Sequence, residues 1–176
     1  KNISFAAKIE NISNSSSNEV KDLLIKNKIN YHVGMEDQLV IFNNSSFRNV
    51  TVHGIEHFND EYTHILGDDV EKYSLPLDVP SIYIGENLAI KLDINLGDTI
   101  NMTSLKKINI LSGLPESIPL VVKGIYKANI LDYEYRHVFM DYIFLEDFLP
   151  SNKLVYYIDN NLSEHFLASL KFKFSD

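Results

Sequence analysis

Residues 84–100 read IGENLAIKLDINLGDTI, and this stretch decides the fold. A short apolar strand, Ile82 to Ile84, runs into Gly85. Glu86 to Leu92 follows as a helix, because Leu88, Ala89 and Leu92 fall on one face at helical spacing. Gly97-Asp98 then turns the chain and launches a strand at Thr99. Gly97 is expected to take a positive φ, which a larger residue would resist. One glycine at the helix entry is too little to cradle a phosphate, so the segment reads as architecture.

Working outward, Phe5 to Ile12 has the apolar content of a strand, and Asn11 to Asn18 (NISNSSSN) reads as a loop. Glu19 to Asn27 is a short helix, with Val20, Leu23 and Leu24 on one side. Leu39 to Phe42 and Asn49 to Ile55 form a hairpin around Asn43-Asn44-Ser45-Ser46. His57 to Leu66 is a helix or an irregular loop. Pro76 and Pro80 mark a boundary. Beyond the central stretch, Thr99 to Met102, Leu120 to Tyr126 and His137 to Met140 are strands. Tyr142 to Leu149 is a helix stopped by Pro150, and Leu154 to Ile158 is a strand. Asn161 to Phe172 places Leu162, Phe166, Leu167 and Leu170 at helical spacing. Strands and helices mix without regular alternation, so the class is α+β.

Composition narrows the functions. The chain has 176 residues, 45% of them hydrophobic and 23% charged, with ten Phe and ten Tyr; this is globular and long enough for a sizeable core. A net charge of −8 repels nucleic-acid phosphates, and the densest basic spot is only Lys106-Lys107, so no nucleic-acid partner is expected. The absence of cysteine excludes disulfides and thiolate chemistry, and suits an oxidising compartment. No apolar run approaches the roughly 18–20 residues that span a bilayer. The start at Lys1 without methionine reads as an excised domain, and no leader is visible.

Catalytic lookalikes fail on spacing. His53-Gly54-Ile55-Glu56-His57 matches the H-x-x-E-H pattern of zinc peptidases, but that chemistry needs both histidines on one helical face. Here it follows the strand Val50-Thr51-Val52, and Gly54 opposes a helix. A strand end with two surface histidines is the reading adopted. The acidic groups at Asp60-Glu61, Asp68-Asp69 and Asp132-Tyr133-Glu134 lack calcium-loop spacing. There is no G-x-S-x-G elbow, P-loop or G-x-G-x-x-G, so no catalytic, cofactor-binding or metal-binding residue is assigned. The triplets at Asn11, Asn49 and Asn101 fit glycan acceptors by pattern, and are expected by chance in an Asn- and Ser-rich chain.

The stretch 84–100 resembles the "IG–LA–L–GD" signature of extracytoplasmic domains in the MacB/LolC/LolE/FtsX permease superfamily. Val121-Val122-Lys123-Gly124-Ile125-Tyr126 looks like the family's V-x-G-I-[FY] strand. Asp132 with Val138-Phe139-Met140 resembles the acidic turn and returning strand after it. Val50-Thr51-Val52-His53-Gly54-Ile55 resembles its strand ending in Gly-Ile. The lipoprotein-releasing permeases LolC and LolE look most similar. The resemblance implies a non-enzymatic domain at the periplasmic face of a bacterial inner membrane, within a multi-pass parent driven by a separate cytoplasmic ATPase subunit. It implies a second permease subunit, lipoprotein cargo and a periplasmic lipoprotein chaperone as partners. It also implies two lobes: residues 1–75 and 154–176 as a porter-like α/β lobe, and 76–153 as an inserted β-rich, sabre-like lobe. Tyr73 to Pro80 and Ser151 to Leu154 would be the crossover strands. Where LolC-type permeases carry a chaperone-recruiting loop, this chain has Asn109 to Pro119, apolar and stiffened by Pro115 and Pro119. Leu111, Leu114, Pro115 and Ile118 are its expected contact residues. A MacB-like efflux domain and an FtsX-like signalling domain are the alternatives.

Overall fold

The computed structural model describes residues 7–13, 15–44, 46–58, 66, 69–149, 153–158 and 168. The strands are β1 (Ala7–Ser13), β2 (Tyr31–Asn43), β3 (Ser46–Ile55), β4 (Val70–Lys72), β5 (Ser81–Gly85), β6 (Thr99–Ile108), β7 (Pro115–Tyr126), β8 (His137–Asp141) and β9 (Lys153–Ile158). The helices are α1 (Ser17–Lys26), α2 (Glu86–Leu92), α3 (Leu131–Arg136) and α4 (Tyr142–Phe148). The fold is α+β, with one mixed sheet of nine strands.

Two long strands organise that sheet, because each divides an edge between two partners. β2 pairs with β3 along one edge; on the other it pairs with β9 over Tyr31–Gly34 and with β6 over Val40–Phe42. β7 pairs with β6 and then β4 on one side, and with β5 in parallel on the other. β8 lies between β5, antiparallel to it, and β3, parallel to it. The path β2–β3–β8–β5–β7–β6 therefore returns to β2 as a closed ring of six strands. β1–β9 extends it at β2, and β4 extends it at β7.

The ring surrounds the main core. Met35, Leu39 and Ile41 of β2, Val50 and Val52 of β3, Val138 and Met140 of β8, Ile82 and Ile84 of β5, Leu120 and Val122 of β7, and Ile100 and Met102 of β6 form one buried cluster. Leu88, Ala89 and Leu92 of α2 and Leu145 and Phe148 of α4 complete it. Burial of each such side chain stabilises by about 1.5–3 kcal/mol. All five residues of β5 are buried, as an apolar strand between two neighbours requires.

The central stretch follows its sequence closely. α2 spans Glu86–Leu92 and buries Leu88, Ala89 and Leu92. Its end is a Schellman cap: Asp93 is left-handed (φ 52°), Ile94 N–H donates to Ala89 O, and Asp93 N–H donates to Ile90 O. Gly97 has φ +84°, and a Cβ there would meet the Tyr73 ring at 3.1 Å. Its N–H donates to Val122 O while Val122 N–H donates to Asp98 O, so the turn is stitched to β7.

Several expectations need correction. The loop over 11–18 is shorter, since β1 runs to Ser13 and α1 begins at Ser17. β2 starts at Tyr31 rather than Leu39, because its buried polar side chains are hydrogen-bonded. The crossover at 73–80 is not a strand: Pro76 and Pro80 lack the N–H a ladder needs, and Val79 N–H closes a turn onto Pro76 O. Residues 5–6, 59–65, 150–152 and most of 161–172 lie outside the described residues. The ring takes β2 and β3 from before residue 75 and β5 to β8 from after it. The first and last described strands pair antiparallel, Ala7 with Ile158, and α1 packs over them through Val20 and Leu24.

Gly97→Ala is expected to destabilise the chain by about 1–2 kcal/mol, from left-handed strain plus contact with Tyr73. Urea unfolding measures this, and an unchanged midpoint would refute the turn geometry.

Candidate partner-binding surface

The expected recruiting loop is the tip of the β6–β7 hairpin, and it is shorter than 109–119. β6 continues to Ile108 and β7 begins at Pro115, so the turn is Asn109–Leu114. Its conformation is fixed locally. Asn109 Oδ1 accepts from Leu111 N–H and Ser112 N–H, both at 3.0 Å, as an Asx turn does. Asn109 N–H donates to Leu114 O, and Gly113 N–H donates to Asn109 O with φ +68° at Gly113.

This turn holds apolar side chains in solvent. Leu111 is 98% exposed, Ile110 97% and Leu114 64%, with Leu105 and Ile108 of β6 also exposed nearby. Pro115 is exposed at the start of β7. Ile118 differs from the other expected contacts: it sits in β7 opposite Met102 and packs half-buried on the main core. The structure thus brings Leu111, Leu114 and Pro115 to one tip and leaves Ile118 at its base. Lys106 and Lys107 below the tip are paired, with Asp37 and Glu116 respectively. Lys107 also donates to Phe148 O and lies 5.2 Å from the Phe148 ring centroid.

A groove of about 800 Å3 runs between the hairpin and α4, walled by Leu114, Ile118, Pro119, Phe144, Phe148 and Pro80. The prolines have a further role here. Val122 N–H points to the β6 side and Val121 N–H to Pro80 O at the start of β5. By strand alternation Pro119 faces the same way as Val121, along the part of β7 that β5 does not cover. A missing N–H there blunts an open edge against added strands.

A second feature escaped the sequence reading. His53 is buried rather than on the surface, at 4% exposure, while His57 is exposed on the turn after β3 with φ 56°. His53 is tolerated inside because both ring nitrogens are hydrogen-bonded. Nδ1 meets Glu36 Oε1 at 2.9 Å and Tyr157 OH at 3.2 Å; Nε2 meets His137 Nδ1 at 2.8 Å. Lys8 Nζ donates to Glu36 at 2.9 and 3.0 Å, and Tyr157 OH donates to it at 2.9 Å. The chain Lys8–Glu36–His53–His137 ties β1, β2, β3 and β8 together. Burial works against the Glu36 carboxylate, but the hydrogen bond and charge of His53, then those of Lys8, bring its pKa down to about 2. Burial and then His53 hold the His137 imidazole down at about 4.

A second carboxylate, in α3, is fully buried. Glu134 accepts from Ala128 N–H and Asn129 N–H at 2.8 Å each and from the Asn87 amide, so it seals the turn before α3 and fastens it to α2. Among the described residues, no group of three or more His, Asp or Glu side chains is placed to hold a metal ion. None of these helices is long and apolar enough to cross a membrane.

No protein-family model matches the sequence, and no curated protein matches it. Solved structures do match. The periplasmic region of MacB from Actinobacillus actinomycetemcomitans superposes with a TM-score of 0.54 at 13% identity, over 94% of this chain and 73% of that one. The extracellular domain of the noncanonic ABC-type transporter YknZ from Gram-positive bacteria superposes with a TM-score of 0.56 at 13% identity, over 93% of this chain and 88% of that one. The fold is shared with these transporter domains. At this identity the likeness concerns the fold alone.

Glu36→Gln is expected to cost about 1–3 kcal/mol at pH 7, because three donors lose a charged acceptor. The folded pKa of Glu36 lies below its ordinary value, so its contribution is complete above pH 4.5 and is lost as pH falls toward 2. Urea unfolding of both proteins should converge over that window; a constant difference would refute the assignment.

Proposed function

We propose that this chain is the extracytoplasmic domain of an ABC-transporter permease of the MacB/FtsX type. The observation that carries the reading is a fold shared, over more than nine-tenths of the chain, with the MacB and YknZ domains. The domain works by binding and by transmitting movement, while ATP is hydrolysed on a cytoplasmic subunit of the parent transporter. This places it outside the cytoplasmic membrane, beside a second permease subunit.

Within that class we favour lipoprotein release. The hairpin tip presents Leu111, Leu114 and Pro115 in a preset conformation, so a periplasmic lipoprotein chaperone can dock with little ordering cost. Movement of the parent would then pass lipoprotein cargo from the membrane to that chaperone. The second reading is MacB-like efflux with a periplasmic adaptor, and the fold likeness supports it equally.

Calorimetry of the domain against a purified periplasmic lipoprotein chaperone and against a periplasmic efflux adaptor separates the two. Chaperone binding weakened about thirtyfold in Leu111→Ala supports lipoprotein release. Leu111→Ala should leave unfolding free energy within about 0.5 kcal/mol, because that side chain is almost fully exposed. Adaptor binding alone supports efflux, and indifference of both partners to the tip overturns the docking role.

A further inference from the structure

The His53–His137 contact is one of several ties at the corner between α3 and β8, beside the hydrogen bonds of Glu134. His137 is the first residue of β8 and follows α3 directly. The Tyr133 ring stacks on its imidazole at 4.1 Å, and Tyr126 OH donates to its carbonyl at 2.7 Å. It opens the parallel ladder to β3, opposite Thr51. The 2.8 Å approach of His53 Nε2 to His137 Nδ1 requires one N–H and one lone pair, so a single proton lies between the rings. When both imidazoles are charged, both nitrogens carry hydrogen and the contact becomes repulsive.

We infer that the α3–β8 corner, Leu131–His137, is an acid-released latch, opened when His137 takes up a proton beside His53. The groups around the pair decide the direction. Lys8 of β1 disfavours a further positive charge, whereas Glu36 of β2 and Asp132 of α3 favour one. Glu36 is already engaged by Lys8, His53 and Tyr157. Asp132 is paired with Arg136, and Glu134 is turned to Ala128, Asn129 and Asn87. Tyr126, Tyr133 and Tyr157 pack closely and supply no anion, since burial first of all raises each phenol's pKa. The incoming charge therefore meets a half-buried site with no unengaged carboxylate, and outward movement of the corner relieves it. His137 has a folded pKa of about 4 against 6.5 in the open chain, so opening takes up a proton between those values. Glu36 titrates later, from 4.5 toward 2, so the latch opens before the rest of that network fails.

Opening should rise by up to about tenfold per pH unit between 6.5 and 4, the limit for one proton taken up. Native-state hydrogen exchange of the chain, corrected for intrinsic rates, reads this. Protection over 131–138 should fall at least about tenfold from pH 6.5 to 4.5, reversibly, while amides of β5 and β7 keep theirs. In His137→Gln, which hydrogen-bonds without titrating there, protection over 131–138 should stay flat. Loss at the corner in step with β5 and β7, or persistence of the pH effect in His137→Gln, would overturn the latch. If that variant fails to fold, NMR titration of the His137 imidazole decides. Coincidence with the exchange transition supports the latch, and titration near 6.5 with a closed corner refutes it.

Discussion

One short ladder closes this structure. β6 leaves the Gly97 turn alongside β7, and its residues Asn101, Met102 and Thr103 also pair with Phe42, Ile41 and Val40 of β2. Without that contact the sheet would be an open ribbon with exposed edges on β2 and β6. With it, six strands enclose Ile41, Val52, Ile84, Met102, Val122 and Met140 in one core. Closure removes edges that would otherwise invite another chain. It is also a non-local condition of the fold, because strands far apart in sequence must assemble before the ladder can form.

Closure separates two kinds of surface. Below the ladder, ring side chains are buried and their backbone groups paired. Beyond Ser104, β6 leaves β2, its register with β7 shifts, and the hairpin projects to Ile110 and Leu111. A tip held by its own Asx turn and mounted on a closed ring can present apolar groups without collapsing onto the core. The polar chain from Lys8 to His137 lies on another part of the ring. There Phe58, Tyr83, Phe139 and Tyr157 form a separate buried cluster, so its protonation bears on α3 and β8 rather than on the hairpin.

The sequence was most legible where local chemistry and tertiary demand agree. Leu88, Ala89 and Leu92 on one helix face, and Gly97 at a positive φ, needed only short-range rules. The hairpin of β2 and β3, the C-terminal strand β9 and the α+β class followed from apolar pattern and turn residues. Polar side chains hid the rest. Glu36 and His32 interrupt the apolar pattern of β2, yet the strand runs through them because Glu36 meets Lys8, His53 and Tyr157, which are distant in sequence. The same partners turn His53 from an expected surface residue into a core one. Glu134 read as part of a solvated acidic cluster, because its backbone donors at Ala128 and Asn129 become visible only when the turn is built. At the hairpin, composition marked the apolar loop, but only strand alternation shows that Pro119 faces an open edge and that Ile118 belongs to the core. Ring closure itself has no local signature.

The most direct test is solution NMR of the β2–β6 junction at neutral pH. The account predicts cross-strand NOEs linking Val40 with Thr103, Ile41 with Met102 and Phe42 with Asn101, and slow amide exchange along both strands there. NOEs from β6 to β7 alone, with β2 amides over 40–42 exchanging as a free edge, would contradict it.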